Sequence, residues 1–377
     1  MITNTKVDWA QNRGHDSAAQ YSIWHCLQML SPLKTVKAEI DGFDAGCVAD
    51  GQNDFYSFMK TLYQDMYANP DSYLIPTVAY DEYMKNEGAN EQLFDEHKTD
   101  AKENKLRQEF QQAIHFYPNY FYQLGLAADA ICVESYALII NKQKYNNVIK
   151  ALDTPHTRKD NYKRLQALVG RGITVKEADD VCYISCKHAR KMFIGLKILC
   201  DAPESNFKYI NYLRLDFEGY LGAVPDIEAI KLTMDRKHSD MIAAFSPLLD
   251  EPKMKHTITH FGSITTNSKW KVEYKLNSKR VFEFYTGPAY LVIHIFFKDL
   301  ETLTKIIDML ETDNVELFMW LRDSLIEKLC DCPRNRAILF GNYKKRVCGS
   351  SNKVEISNPT KDDVSKSISL MKAIRNL

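Results

Sequence analysis

The chain has 377 residues, 45% hydrophobic and 26% charged, and its 49 basic and 49 acidic side chains cancel to a net charge of zero. That length suits two or three domains, each able to bury a core without disulfide or metal staples. The composition excludes a disordered, collagenous or coiled-coil chain, and the neutral balance argues against a protein whose main task is wrapping nucleic acid, although a local basic patch survives a neutral total.

The opening stretch carries Trp9, Arg13 and Asp16 but no apolar run of the secretory kind. Ala289 to Phe297, the longest apolar run outside a helical pattern, is interrupted by His294 and reaches about half of the ~20 residues a membrane span needs. Nine scattered cysteines fit reduced thiols better than a secreted disulfide framework. A soluble, cytoplasmic protein with no membrane partner is the expectation.

Helical periodicity dominates up to about residue 235. The aspartate- and glycine-rich stretch Asp41 to Asp54 lacks the alternation and closing glutamate of a calcium loop and reads as a solvated, turn-rich connection. Phe55, Phe58, Met59, Leu62 and Met66 form an amphipathic stripe. Leu106 to Tyr117 forms another, expected to stop at Pro118, and Asn119 to Ile140 is apolar on most sides, as in a central helix. Arg158 to Val169 reads as a helix closed by Gly170 and Gly172. Thr174 with Glu177 has the form of a capping box and predicts a helix to about Cys200, whose stripe Cys182, Cys186, Phe193 and Cys200 favours core packing over metal ligation.

Past residue 265 the period changes to two. Trp270, Val272, Tyr274 and Leu276 alternate with Lys269, Lys271, Glu273 and Lys275, Asn277 and Ser278 turn, and strands follow at Arg280 to Tyr285 and Tyr290 to Phe297. Two helices come next, at Leu300 to Leu310 and Val315 to Leu329, and then short strands at Ala337 to Phe340, Tyr343 to Cys348 and Lys353 to Ser357. Thr360 and Asp363 cap a last helix. The fold class is therefore α+β and multidomain: a mainly α-helical N-terminal domain, 1–235, followed by an α+β domain, 236–377, with an antiparallel sheet packed on helices. The second part has 23 basic and 17 acidic residues, a balance of +6 that leaves −6 for the first.

No nucleotide-binding glycine loop, His-Glu-x-x-His or nucleophile elbow is present, which lowers the expectation of an enzyme. Cys330, Cys332 and Cys348 are candidate zinc ligands, but one residue between paired cysteines is tight for zinc, and no cofactor is expected. His256 and His260 have metal-compatible spacing among residues that favour extended chain. Arg334, Arg336, Lys344, Lys345, Arg346 and Lys353, interleaved with Phe340 and Tyr343, form a basic segment suited to single-stranded nucleic acid, to a protein partner, or to a plain solvated sheet edge.

Pairing the strands through their short turns sets Tyr274 against Val281, Val272 against Glu283 and Trp270 against Tyr285, then Tyr285 against Tyr290, Glu283 against Val292 and Val281 against His294. One sheet face then carries Trp270, Tyr274, Glu283, Tyr285, Tyr290 and His294, a carboxylate among aromatic rings. Phe282, Phe284, Leu291, Ile293 and Ile295 take the other face. Such a site suits a small aromatic or cationic ligand. The alternative is that Glu283 bonds a neighbouring tyrosine or backbone group and His294 is a satisfied core residue.

With its Trp-Lys-Val-Glu-Tyr and Arg-Val-Phe-Glu-Phe-Tyr hairpin, two helices and closing Val-Glu-Ile-Ser-Asn-Pro before a helix ending in Ala-Ile-Arg, the segment from Trp270 to Leu377 resembles the small YdhG-type and GyrI-like α+β domains. The resemblance implies small-molecule binding in a sheet groove, with Glu283 at the position of the central glutamate of GyrI-like members. The leading expectation is ligand binding on the C-terminal sheet. An interaction factor using the basic segment and a hydrolase-like enzyme with Glu283 and His294 as acid and base are the alternatives.

Overall fold

A computed structural model of the chain describes residues 17–76, 101–153, 158–205, 207–221, 225–231, 234, 236–261, 269–286, 291–327, 335–348 and 352–377. The chain is α+β, with most helices in its first part and antiparallel sheets in both. It divides into two compact units between Pro225 and Asp226, ten residues before the boundary expected from periodicity. Among the described residues no helix is long and apolar enough to cross a membrane.

The first unit is built on α1 (Ala18–Met29), α2 (Ala45–Ala68), α3 (Ala101–Ala127) and α6 (Met192–Cys200). Asp44 caps α2 by accepting from the Cys47 amide, so the loop expected over Asp41 to Asp54 is helical from Ala45 onward. Gly51 and Gly195 explain why: α2 and α6 approach so closely that a Cβ on Gly195 would lie 2.4 Å from the Gly51 carbonyl oxygen. Tertiary packing thus overrides the weak helix propensity of the glycines. Helix α3 also runs through Pro118 instead of ending there. Ile114, Tyr117, Phe121 and Leu124 are fully buried around it, and the Tyr212 hydroxyl donates to the Pro118 carbonyl at 2.6 Å. That burial offsets the roughly 3 kcal/mol cost of an internal proline.

The sequence from Ala128 to Cys200 departs further from expectation. Instead of continuing as helix past Ala127, the chain forms β1 (Ala130–Ile131) and β2 (Leu138–Asn141), then α4 (Lys142–Ala151) and α5 (Asn161–Gly170). Where one helix was predicted over Thr174 to Cys200, there is a hairpin of β3 (Ile173–Ala178) and β4 (Val181–Cys186) followed by α6. These strands form a sheet of order β1-β2-β4-β3. The stripe was ambiguous because residues four apart share a face in both helix and strand. Cys182, Ile184 and Cys186 are all buried while Val181, Tyr183 and Ser185 are half-buried, a period of two. Thr174 does not cap anything; its hydroxyl lies 2.8 Å from that of Ser185 across the hairpin. The thiols do face the core, as expected. After α7 (Lys208–Leu213) the first unit ends.

The second unit begins with three short helices, α8 (Ile227–Lys231), α9 (Arg236–Ala243) and α10 (Ser246–Leu249). Its sheet has five antiparallel strands in the order β11-β8-β7-β6-β5: β5 (Met254–Phe261), β6 (Lys269–Leu276), β7 (Lys279–Thr286), β8 (Leu291–Phe296) and β11 (Lys353–Ser357). Between β8 and β11 come α11 (Leu300–Asp313), α12 (Val315–Ser324) and a separate hairpin of β9 (Asn335–Phe340) and β10 (Tyr343–Cys348); α13 (Lys361–Asn376) closes the chain. Thr360 and Asp363 form the expected capping box. Trp270, Val272, Phe282, Phe284, Leu291, Ile293, Ile295 and Val354 are all fully buried on one sheet face, where Phe245 packs against Phe282 at 4.8 Å.

Candidate functional site

The turn between β6 and β7 is as expected, with Asn277 and Ser278 both at positive φ and Leu276 paired to Lys279. The register then changes. Lys275 pairs with Arg280 but Tyr274 pairs with Phe282, so Val281 is an extra residue on β7. Val272 consequently faces Phe284 and Trp270 faces Thr286, where Glu283 and Tyr285 were expected. Trp270 and Tyr274 therefore belong to the buried apolar face, opposite to Glu283, and take no part in a pocket around it. Between β7 and β8 the register differs from expectation by two residues, which preserves faces: Glu283 lies opposite His294 and Tyr285 opposite Val292. Tyr290 lies outside the described residues.

The resulting polar face is organised in rows across the strands. One row reads Thr257, Glu273, Glu283, His294 and Glu355 from β5 to β11. Beside it Lys255, Lys275 and Arg280 are successive partners on β5, β6 and β7. The extra residue is what brings Arg280, three positions from Glu283, onto the same face.

Glu283 is 1% exposed at the centre. Its Oε1 is 2.6 Å from Nδ1 of His294 and accepts from the Tyr285 hydroxyl at 3.2 Å. Its Oε2 lies 3.0 Å from Lys271 Nζ and accepts from Arg280 at 3.3 Å. Burial alone would raise the Glu283 pKa, but the hydrogen bonds and charges of His294 and Lys271 outweigh it and hold the carboxyl at about 2. Nε2 of His294 is 2.7 Å from Glu355, whose pKa is drawn down to about 2 chiefly by that hydrogen bond, against the opposing effect of burial. Lys353 Nζ donates to Glu355 at 2.9 Å and sits 3.0 Å from the imidazole Nε2. Glu273 pairs with Lys271 at 3.2 Å and Lys275 at 2.7 Å. Rings close the face on two sides: Tyr285 stands edge-on to His294 at 5.3 Å, and Arg280 lies 4.0 Å over Phe296.

Sequence reasoning thus identified Glu283, Tyr285 and His294 but missed Lys271, Glu273, Arg280, Phe296 and Glu355. The polar half of the Lys-Trp-Lys-Val-Glu-Tyr-Lys alternation was the available signal for the first two. Lys353, read as part of the basic segment, belongs to this sheet instead.

The remaining basic segment is divided by its own alternation. Lys345 pairs with Ile338, is buried, and donates to the Arg322 carbonyl at 2.6 Å. Lys344 and Arg346 pair with Leu339 and Ala337 on the other, exposed side, and Arg336 is also exposed. Arg334, Cys330 and Cys332 lie outside the described residues, as does the side chain of Cys348. Among the described residues no group of three histidine, cysteine or acidic side chains is placed to hold a metal ion. His256 and His260 lie on the extended strand β5.

Comparison with protein-family models, with curated proteins and with solved structures gave no match to the chain.

Proposed function

We propose that the polar face of the C-terminal sheet binds a small molecule, with the row Glu283, His294 and Glu355 as its fixed centre. The observation that carries this reading is the preorganisation of Glu283: four side chains from three strands hold an ionised carboxylate at the middle of a sheet face. A ligand meeting such a face pays little to order it. The resemblance of the segment to GyrI-like domains points to the same glutamate.

Binding is favoured over acid–base catalysis because both nitrogens of His294 already face carboxylate oxygens, at 2.6 and 2.7 Å. A general acid or base needs a ring nitrogen free to reach the substrate. The basic hairpin supports a nucleic-acid reading less well, since Lys345 is turned inward and the run is broken.

A thermal-shift screen of small aromatic compounds against wild type, Glu283→Gln and Tyr285→Phe tests the proposal. At least one compound should raise the melting temperature of wild type and do so less for Glu283→Gln. A screen in which no compound distinguishes the two proteins would sink it.

A further inference from the structure

The sequence reading expects a small aromatic or cationic ligand, the cation being one way to give a buried Glu283 its partner. The geometry removes that need, since Lys271, Arg280 and His294 already supply it. What the face holds in excess is positive charge. Among the described side chains, Lys255, Lys271, Lys275, Arg280 and Lys353 share it with Glu273, Glu283 and Glu355.

The excess is concentrated where Lys255, Lys275 and Arg280 stand side by side on three neighbouring strands. Like charges directly opposite one another in a sheet destabilise it. Glu273 offsets part of this, lying 2.7 Å from Lys275 and 3.6 Å from Arg280. Lys255 has no ion pair among the described residues and is exposed. Lys275 and Arg280 keep 42% and 41% of their side-chain surface accessible, so all three reach solvent. Arg280 is fixed from behind by Phe296 and Glu283, which leaves its guanidinium oriented before a ligand arrives.

Resting on the reading of this face as a binding site, we infer that its ligand carries an anionic head, a phosphate or carboxylate, received by Lys255, Lys275 and Arg280. An oxyanion placed between them would convert two repulsive cross-strand neighbours into shared donors, and an arginine fork beside two point charges matches its several oxygens. Buried Glu283, itself held by buried His294, then serves as the base that fixes Arg280, and the more exposed Glu355 braces the far side of the imidazole.

Titration calorimetry at low salt with inorganic phosphate, phenyl phosphate, benzoate and benzylammonium tests this. Either or both of phenyl phosphate and benzoate should bind, benzylammonium should not, and the relative strength of the first two tells phosphate from carboxylate. Lys255→Met and Lys275→Met should each weaken anion binding about tenfold, as the loss of one charge-assisted contact does. Without ligand the same substitutions should leave the melting temperature unchanged or raise it. Binding of benzylammonium but not of the anions, sensitive to Glu283→Gln, would overturn the anion assignment and keep the binding face. Anion binding indifferent to Lys255 and Lys275 would overturn the assigned residues. No binding by any probe would overturn both.

Discussion

Glu283 and His294 stand directly opposite one another on adjacent antiparallel strands, with 2.6 Å between the carboxylate Oε1 and the imidazole Nδ1. The pair ties stability to acid pH. The Glu283 carboxyl falls from its ordinary 4.5 to about 2 on folding, so its contribution is complete above about pH 4.5 and is lost as the pH falls toward 2. Urea midpoints at pH 7, 4 and 3 should decline steeply for wild type. Glu283→Gln, starting lower at pH 7, should decline less over the same window; parallel declines would count against the pair.

Removing the imidazole leaves Glu283 with Lys271, Arg280 and Tyr285 but deprives both carboxylates of a shared donor. His294→Ala should therefore cost about 2 kcal/mol at pH 7, read by chemical denaturation. Tyr285→Phe, which removes a single hydroxyl contact, should cost about 1 kcal/mol or less.

Trp270 tests the register. It is completely buried on the helix-packed face, so Trp270→Ala should lose about 3–5 kcal/mol of stability. A milder change, Trp270→Phe, should lower stability while leaving ligand affinity on the polar face unaltered. A selective loss of affinity with full stability would instead place Trp270 beside Glu283.

The strands and their turn at Asn277 and Ser278 were legible from alternation and turn chemistry, and so was the pairing nearest the turn. The extra residue at Val281 was not, because nothing in Lys-Arg-Val-Phe-Glu marks which residue a sheet will leave unpaired. Trp270 and Tyr274 were accordingly assigned to the wrong face relative to Glu283. In the first unit the difficulty lay elsewhere. Cys182 and Cys186 are four apart, a spacing that serves helix and strand alike, and neighbouring Thr174, Val175 and Ile184 were the β-branched hint that favoured strands. Pro118 and Gly51 show the complementary case, in which burial against distant residues outweighs local preference.

The close approach of α2 and α6 makes a sharp prediction. A Cβ at Gly195 would sit 2.4 Å from a backbone oxygen and 2.9 Å from the Cβ of Phe55, neither of which moves easily. Gly195→Ala should cost about 1–3 kcal/mol or more. Gly170→Ala, with nothing within 4 Å, should change stability by no more than about 1 kcal/mol. Differential scanning calorimetry of the two variants checks the contrast.

Thiol reactivity should follow burial. Burial pushes the Cys26 thiol up to about 12 and raises those of Cys182, Cys186 and Cys200, and all four are buried. Cys47 and Cys132 are half-buried. Brief alkylation of the native protein followed by peptide mapping should label Cys47 and Cys132 before the other four. Early modification of Cys26 or Cys200 would contradict their burial on α1 and α6.

The extra residue at Val281 gives residue count a role on this face that residue identity does not have. Arg280 is three positions from Glu283, and plain alternation over that interval would turn the guanidinium away from the carboxylate that anchors it. Deleting Val281 would leave the two residues two positions apart and still on one face, so an unpaired residue of any identity at that place keeps the anchor intact.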